Sequence, residues 1–265
     1  MKLACQEQLI PGDTLLEKWS FISAAGFDGI ELLGRGELAF ERRLPELRAA
    51  REEGVVLSSV CVAMDHFIGD FDDDRRRDAV ENMRSLLSVI GEVGGVGAVT
   101  PAAFALWSNA LPPWDPPPRS PAQDLAVLVD ALAELGGHAA AHGVQVFFEP
   151  LNRYEDHMVN RLEQAGEICD ELGLGAVKVM ADTFHMSIEE DDLAEAVRMC
   201  GRRIGHVQLG DSGRKQPGVG HLDWPSLMAA LHDIEFDGWL AMECGIRGEP
   251  QEALPKVAEF LRPLM

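Results

Sequence analysis

Positive charge is scarce in this chain of 265 residues: 23 Lys and Arg stand against 44 Asp and Glu, a formal net charge of −21. So acidic a surface repels phosphate backbones and anionic membranes, which sets nucleic acid and lipid aside as expected partners. Long apolar runs are missing as well. No stretch of about 18 uncharged apolar residues occurs, so no membrane-spanning helix is expected. The opening MKLACQEQLIPGD reads as a strand, without an apolar leader and cleavage site. The five cysteines, Cys5, Cys61, Cys169, Cys200 and Cys244, form no CxxC pair. Disulfides and a thiolate metal centre are therefore disfavoured, and reduced, buried thiols in a cytoplasmic protein are expected. A glycine-rich phosphate loop after the first strand is also absent, which argues against an open doubly wound nucleotide-binding sheet.

What the chain does have is apolar material in a regular rhythm, with 46% hydrophobic residues. Eight strand-like runs fall at residues 2–5, 29–33, 55–63, 96–101, 144–149, 176–182, 205–209 and 239–243. Several are continuous hydrophobic stretches without in–out alternation, as parallel strands covered on both faces require. Helical patterns lie between and after them, at 14–25, 44–53, 73–93, 121–142, 161–172, 191–200, 224–234 and 254–264, several stopping at a glycine such as Gly26, Gly54 or Gly143. Eight βα units with no break in composition predict an α/β fold, a single (β/α)8 TIM barrel forming one domain over residues 1–265. Residues 102–120 break the rhythm. The proline-rich PPWDPPPR there suits neither helix nor inner strand, so a long loop after the fourth strand is predicted, on the face where barrel active sites gather.

Four residues close four of these runs: Glu149 ends VQVFFE, Asp182 ends VKVMAD, Gln208 ends IGHVQ and Glu243 ends WLAME. An ionised carboxylate out of water needs a partner. Strands five to eight of a barrel bring their C-terminal ends to one place, where a single divalent cation can partner all three carboxylates. Two or three carboxylates and an amide suit Mn²⁺, Mg²⁺ or Co²⁺ better than a thiolate-loving metal. The sequence therefore reads as that of a metal-dependent enzyme.

Other candidates surround these four. His185, three residues after Asp182, can donate to a substrate oxygen. Arg214 lies in GDSGRKQPGVG, a loop whose glycines and proline suit folding over a ligand. His66 follows the third strand and can face the same mouth. His206 shares strand parity with Gln208. Glu31 is a candidate interior carboxylate, Trp107 and Trp114 are candidate rings for stacking on a ligand, and Asn152 and Arg153 are candidate loop braces.

The segments FFEPLNRYE, MADTFHM, GHVQLGDSGRKQPGVGHLDW and AMECG together resemble the xylose-isomerase-like barrel superfamily of sugar isomerases and epimerases, in particular hydroxypyruvate isomerase and the ketose 3-epimerases. The resemblance implies one divalent cation held by Glu149, Asp182, Gln208 and Glu243. Ketose 3-epimerases carry histidine where this chain has Gln208, whereas hydroxypyruvate-isomerase-like members carry glutamine within the same H-V-Q-x-x-D-S pattern. It further implies substrate contacts from Glu155, His185 and Arg214, and a homo-oligomer.

The expected reaction is proton transfer next to a carbonyl of a sugar or small hydroxy-carbonyl compound. A cation chelated by the carbonyl and its neighbouring hydroxyl lowers the cost of an enediolate, and Glu149 and Glu243 act as acid and base. The lone Arg214–Lys215 pair favours a neutral substrate over a phosphorylated one. Elimination of water, as in inosose or dehydroshikimate dehydratases, is the alternative on the same barrel, and a non-catalytic sugar-binding protein is the rival from another class. A DNA-repair endonuclease with a histidine-rich metal cluster is set aside by the acidic charge and the few histidines.

Overall fold

The computed structural model describes residues 1–108 and 116–265; the expectation placed on Trp114 lies outside them. Strands and helices alternate as β1 (Lys2–Gln6), α1 (Leu15–Ala24), β2 (Gly29–Arg35), α2 (Leu44–Glu52), β3 (Leu57–Ala63), α3 (Asp73–Glu92), β4 (Gly97–Pro101), α4 (Pro121–Ala141) and β5 (Gln145–Glu149). The second half continues with α5 (Leu162–Leu172), β6 (Val177–Asp182), α6 (Thr183–Glu189), α7 (Leu193–Cys200), β7 (Ile204–Leu209), α8 (Trp224–Asp233), β8 (Trp239–Met242) and α9 (Pro250–Leu261). All eight strands pair in parallel in chain order, and β8 returns to β1 with Lys2 opposite Trp239 and Cys5 opposite Met242. The predicted (β/α)8 barrel is what forms. Among the described residues no helix is long and apolar enough to cross a membrane, and all five cysteines are free and buried.

Strand parity divides the apolar residues between two layers. Side chains of a strand alternate between its faces, so Val146 and Phe148 of β5, Val179 and Ala181 of β6, Val207 and Leu209 of β7, and Leu240 and Met242 of β8 point outward. All eight belong to the large core shared with the helices. The opposite parity points into the barrel. There Cys61, Val99, Phe147 and Met180 form one small apolar plug, and Ala4, Trp239 and Ala241 form another. Glu149, Asp182, Gln208 and Glu243 follow Phe147, Met180, His206 and Ala241 by two residues. They therefore occupy the next inward level, at the C-terminal mouth.

Helix ends are set by local side chains. Thr14 and Glu17 make a reciprocal capping box at α1, and Asp72 accepts from the Asp74 and Arg75 amides at α3. The short helix α6 has no counterpart among the helical patterns of the sequence, because seven residues are too few to show a period. It starts directly at β6, with Asp182 capping it by accepting from Phe184 N and His185 N at 2.7 and 3.1 Å.

The interior leaves little room. A methyl group at Gly97 would press on the Gln145 carbonyl oxygen and lie 2.7 Å from the Phe147 ring. Overpacking of this kind costs roughly 1–3 kcal/mol, more where backbone is struck. Gly97→Ala should thus lower unfolding free energy by at least about 2 kcal/mol in urea denaturation, with the denaturant slope unchanged.

Candidate active site

The mouth of the barrel collects acids. Glu149, Asp182 and His185 offer ligand-capable atoms that lie within 4.8 Å of one another, all three residues buried. Glu243 stands one residue past β8, its backbone N–H donating to Leu209 O at 3.2 Å. Arg214 joins it to the others: Nη1 donates to Asp182 Oδ2 at 2.7 Å, and Nη2 lies 3.1 Å from Glu243 Oε1. The Arg214 guanidinium also stacks over the Phe184 ring, 4.9 Å from its centroid. This planar cation partners two carboxylates at once, as its forked donors allow.

Arg214 is held there by a loop that Asp211 ties together. Asp211 is buried and accepts from Ser212 N, Gly218 N, Leu222 N and Trp224 Nε1 at 2.8–3.2 Å. The Arg214 amide donates to Asp211 O, and Arg214 itself adopts a left-handed conformation at φ 56°. Sequence reasoning overlooked Asp211, although an Asp followed by Ser-Gly is a turn signal that could have shown it.

Gln208 is oriented from below. Its Nε2 donates to Glu31 at 2.8 Å, leaving Oε1 buried and without a partner among the described residues. Glu243 Oε2 is likewise buried and unpartnered. Buried polar atoms in this state are rare and ask for a ligand or ion. The donor set, three carboxylates and an amide oxygen, fits a hard divalent cation.

His185 answers to a different description. The Asn152 backbone N–H and side-chain Nδ2 both donate to its Nδ1, at 3.1 and 2.8 Å. Nδ1 is therefore the acceptor, and the ring proton sits on Nε2, which faces Glu149 at 3.5 Å and Glu155 at 3.9 Å. A nitrogen carrying a proton cannot coordinate a metal, so this geometry makes His185 a donor. Burial holds its pKa below the ordinary value, keeping the ring neutral.

The remaining candidates are distributed around this group. Glu155 stands beside His185 and is tied by its carbonyl to Ala105 N. Asn152 holds His185, and Arg153 pairs with Glu189 through its backbone and guanidinium. Glu31 is fully buried and accepts from Gln6, Ser59, His206 and Gln208. Gln6 and Ser59 were not foreseen; their inward parity on β1 and β3 was the available signal. His206 stacks on Phe147 at 4.9 Å below the mouth. Trp107 Nε1 is buried without a partner among the described residues. His66 Nδ1 lies 2.8 Å from Asp78 Oδ2 on α3.

A barrel of this kind is also what comparison with known proteins finds. The family model described as xylose isomerase-like TIM barrel matches residues 19–264. This chain belongs to that family. It is 37% identical over 264 residues, 99% of both chains, to the 3-dehydro-D-guloside 4-epimerase of Escherichia coli K12. It is 34% identical over 236 residues, 84% of this chain and 74% of the relative, to the D-psicose 3-epimerase of Enterocloster bolteae. The crystal structure of apo 3-keto-D-glucoside 4-epimerase from E. coli superposes with a TM-score of 0.92 at 37% identity, covering 99% of each chain. These named relatives are sugar epimerases.

Within this xylose isomerase-like barrel the crowding of acids decides protonation. Burial, then Glu243 and Asp182, push the Glu149 carboxyl well above its usual range. Burial likewise raises Glu243 to about 7 from 4.5; Arg214 opposes this and Asp182 adds to it. A folded-state pKa above the unfolded one means that the folded chain binds the extra proton between those values. Glu243's contribution to the stability of the cation-free protein is then fully present below about 4.5 and is lost as pH rises through about 7. Thermal melts in EDTA should show this fall between pH 5 and 7.5, and Glu243→Gln, which cannot ionise, should make it visibly shallower.

Proposed function

We propose that the protein is a divalent-metal-dependent epimerase or isomerase of a keto-sugar or small hydroxy-carbonyl compound, with Glu149 and Glu243 as its acid–base pair. The observation that carries this reading is the gathering of Glu149 from β5, Asp182 from β6 and Glu243 from just past β8 around His185 and the Arg214 guanidinium. Glu149, Asp182, Gln208 and Glu243 would hold one Mn²⁺, Mg²⁺ or Co²⁺. Such a cation, when bound, supplies positive charge to substrate oxygens that become negative during reaction.

The chain's own residues do the proton work. One of the two glutamates takes the proton from the carbon next to the carbonyl, and the other returns one to the opposite face, which inverts that carbon. Returning it to the neighbouring carbon instead interconverts aldose and ketose. Acid–base work of this sort needs carboxyl groups whose protonation the surroundings control; in the cation-free chain burial raises both glutamates. His185 Nε2–H and the Arg214 guanidinium are the donors that orient substrate oxygens, with Glu155 beside them.

The E. coli relative named as a 4-epimerase makes a 3-keto-sugar the first substrate to try, ahead of the ketohexoses suggested by the psicose epimerase. We place the enzyme in the cytoplasm as a single-domain, homo-oligomeric protein, acting on small carbohydrates and not on nucleic acid.

Turnover in D₂O of 3-keto-glucosides, ketoses, hydroxypyruvate and inososes, followed by NMR, should show deuterium entering at the carbon beside the carbonyl. Glu149→Gln and Glu243→Gln should each lower kcat by at least about 100-fold, the lower end of acid–base contributions. Unchanged turnover in both would overturn the assignment, and loss of water from the product would redirect it to elimination. EDTA should abolish activity and Mn²⁺ restore it.

A further inference from the structure

We propose that Glu31 is the positioning residue that makes Gln208 a cation ligand. The inference rests on the cation site proposed above and concerns how this chain builds it with an amide.

A glutamine amide has two nearly equal ends, and only its oxygen can coordinate a cation. Something must fix which end faces the acids. Glu31 lies under the site with no exposure to solvent. Its Oε1 accepts from Ser59 Oγ and His206 Nε2, both at 2.8 Å. Its Oε2 accepts from Gln6 Nε2 at 3.0 Å and Gln208 Nε2 at 2.8 Å. With Gln6, Ser59 and His206 already donating to it, the carboxylate acts as an acceptor only. The end of Gln208 that meets it must then be the amino group. Oε1 is turned to the other side, where it is buried with no partner among the described residues.

Glu31 is the charged group that meets the amide; the Cys61 thiol, which also contacts Gln208, is a weak partner beside it. His206, the inward neighbour of Gln208 on β7, also donates to Glu31, and its second nitrogen has no partner among the described residues. The whole polar level beneath the mouth is thus referred to one carboxylate. An amide at position 31 would still serve Ser59 and His206 with its oxygen, but its amino group would face Gln6 and Gln208. Gln208 would accommodate it by turning over, which withdraws its oxygen from the acids.

The test is Mn²⁺ titration of the intact, metal-stripped protein by calorimetry, with electron paramagnetic resonance counting bound ion. Glu31→Gln should weaken Mn²⁺ by about tenfold or more, as loss of outer-shell partners does. In the Gln208→Ala background the same change should cost no more than about twofold, the additive limit for a residue acting only through its partner. Equal losses in both backgrounds, or no loss in the first, overturn the proposal while leaving the cation site standing. Wild-type protein that takes up no Mn²⁺ overturns the site and the proposal together. If Glu31→Gln does not fold, the exchange E31Q/Q208E decides, since it keeps one carboxylate and one amide in the same contact. It should fold and bind Mn²⁺ within about twofold of wild type; failure to bind overturns the proposal.

Discussion

Three carboxylates at one barrel mouth repel one another, and the structure around them is arranged to make that repulsion tolerable. Two like charges about 4 Å apart cost about 4 kcal/mol at the effective dielectric of a protein surface. The chain answers with a forked cation, Arg214, laid across Asp182 and Glu243, and with pKa values pushed upward so that not every acid ionises. Both answers leave Gln208 Oε1 and Glu243 Oε2 unsatisfied. Repulsion relieved only in part is the condition that the proposed cation would complete.

The barrel makes such a cluster affordable by separating labour between its faces. Outward positions of β5 to β8 join the helices in the large continuous core, which carries most of the apolar burial. Inward positions are then free to change character with height. Apolar residues and the hydrogen-bonded group centred on Glu31 share the middle, and the acids crown it. Each level is tied to the next along the strand: Phe147 leads to Glu149, and His206 to Gln208. A strand shift of one residue would exchange the core for the site, which is why the eight-strand register matters more here than any single contact.

Asp182 shows how closely local structure and chemistry are joined. It ends β6, caps α6 with one oxygen through Phe184 N and His185 N, and gives its other oxygen to Arg214. The cap orients both oxygens without a rotamer search. His185 sits on the helix so started, and Asn152, from the loop after β5, sets its tautomer. The geometry of acid, cation and neutral donor is therefore set in part by backbone amides that follow β5 and β6.

Much of this was legible in the chain itself. Periodic apolar runs and the glycines that end helices announce eight βα units, because parallel strands buried on both faces and amphipathic helices leave unmistakable patterns. A carboxylate closing an apolar run is equally visible, since burying it unaided is so costly; Glu149, Asp182 and Glu243 were found that way. What one dimension cannot carry is pairing across strands. That Glu31 of β2 meets Gln208 of β7, that Asn152 sets the proton of His185, and that His66 turns to Asp78 all depend on closure and on side-chain direction. The sequence determined which residues would be expensive to bury and where strands would end. Only the closed barrel decided which of them face one another, because hydrogen bonds and charge interactions act over a few ångströms of space and take no account of distance along the chain.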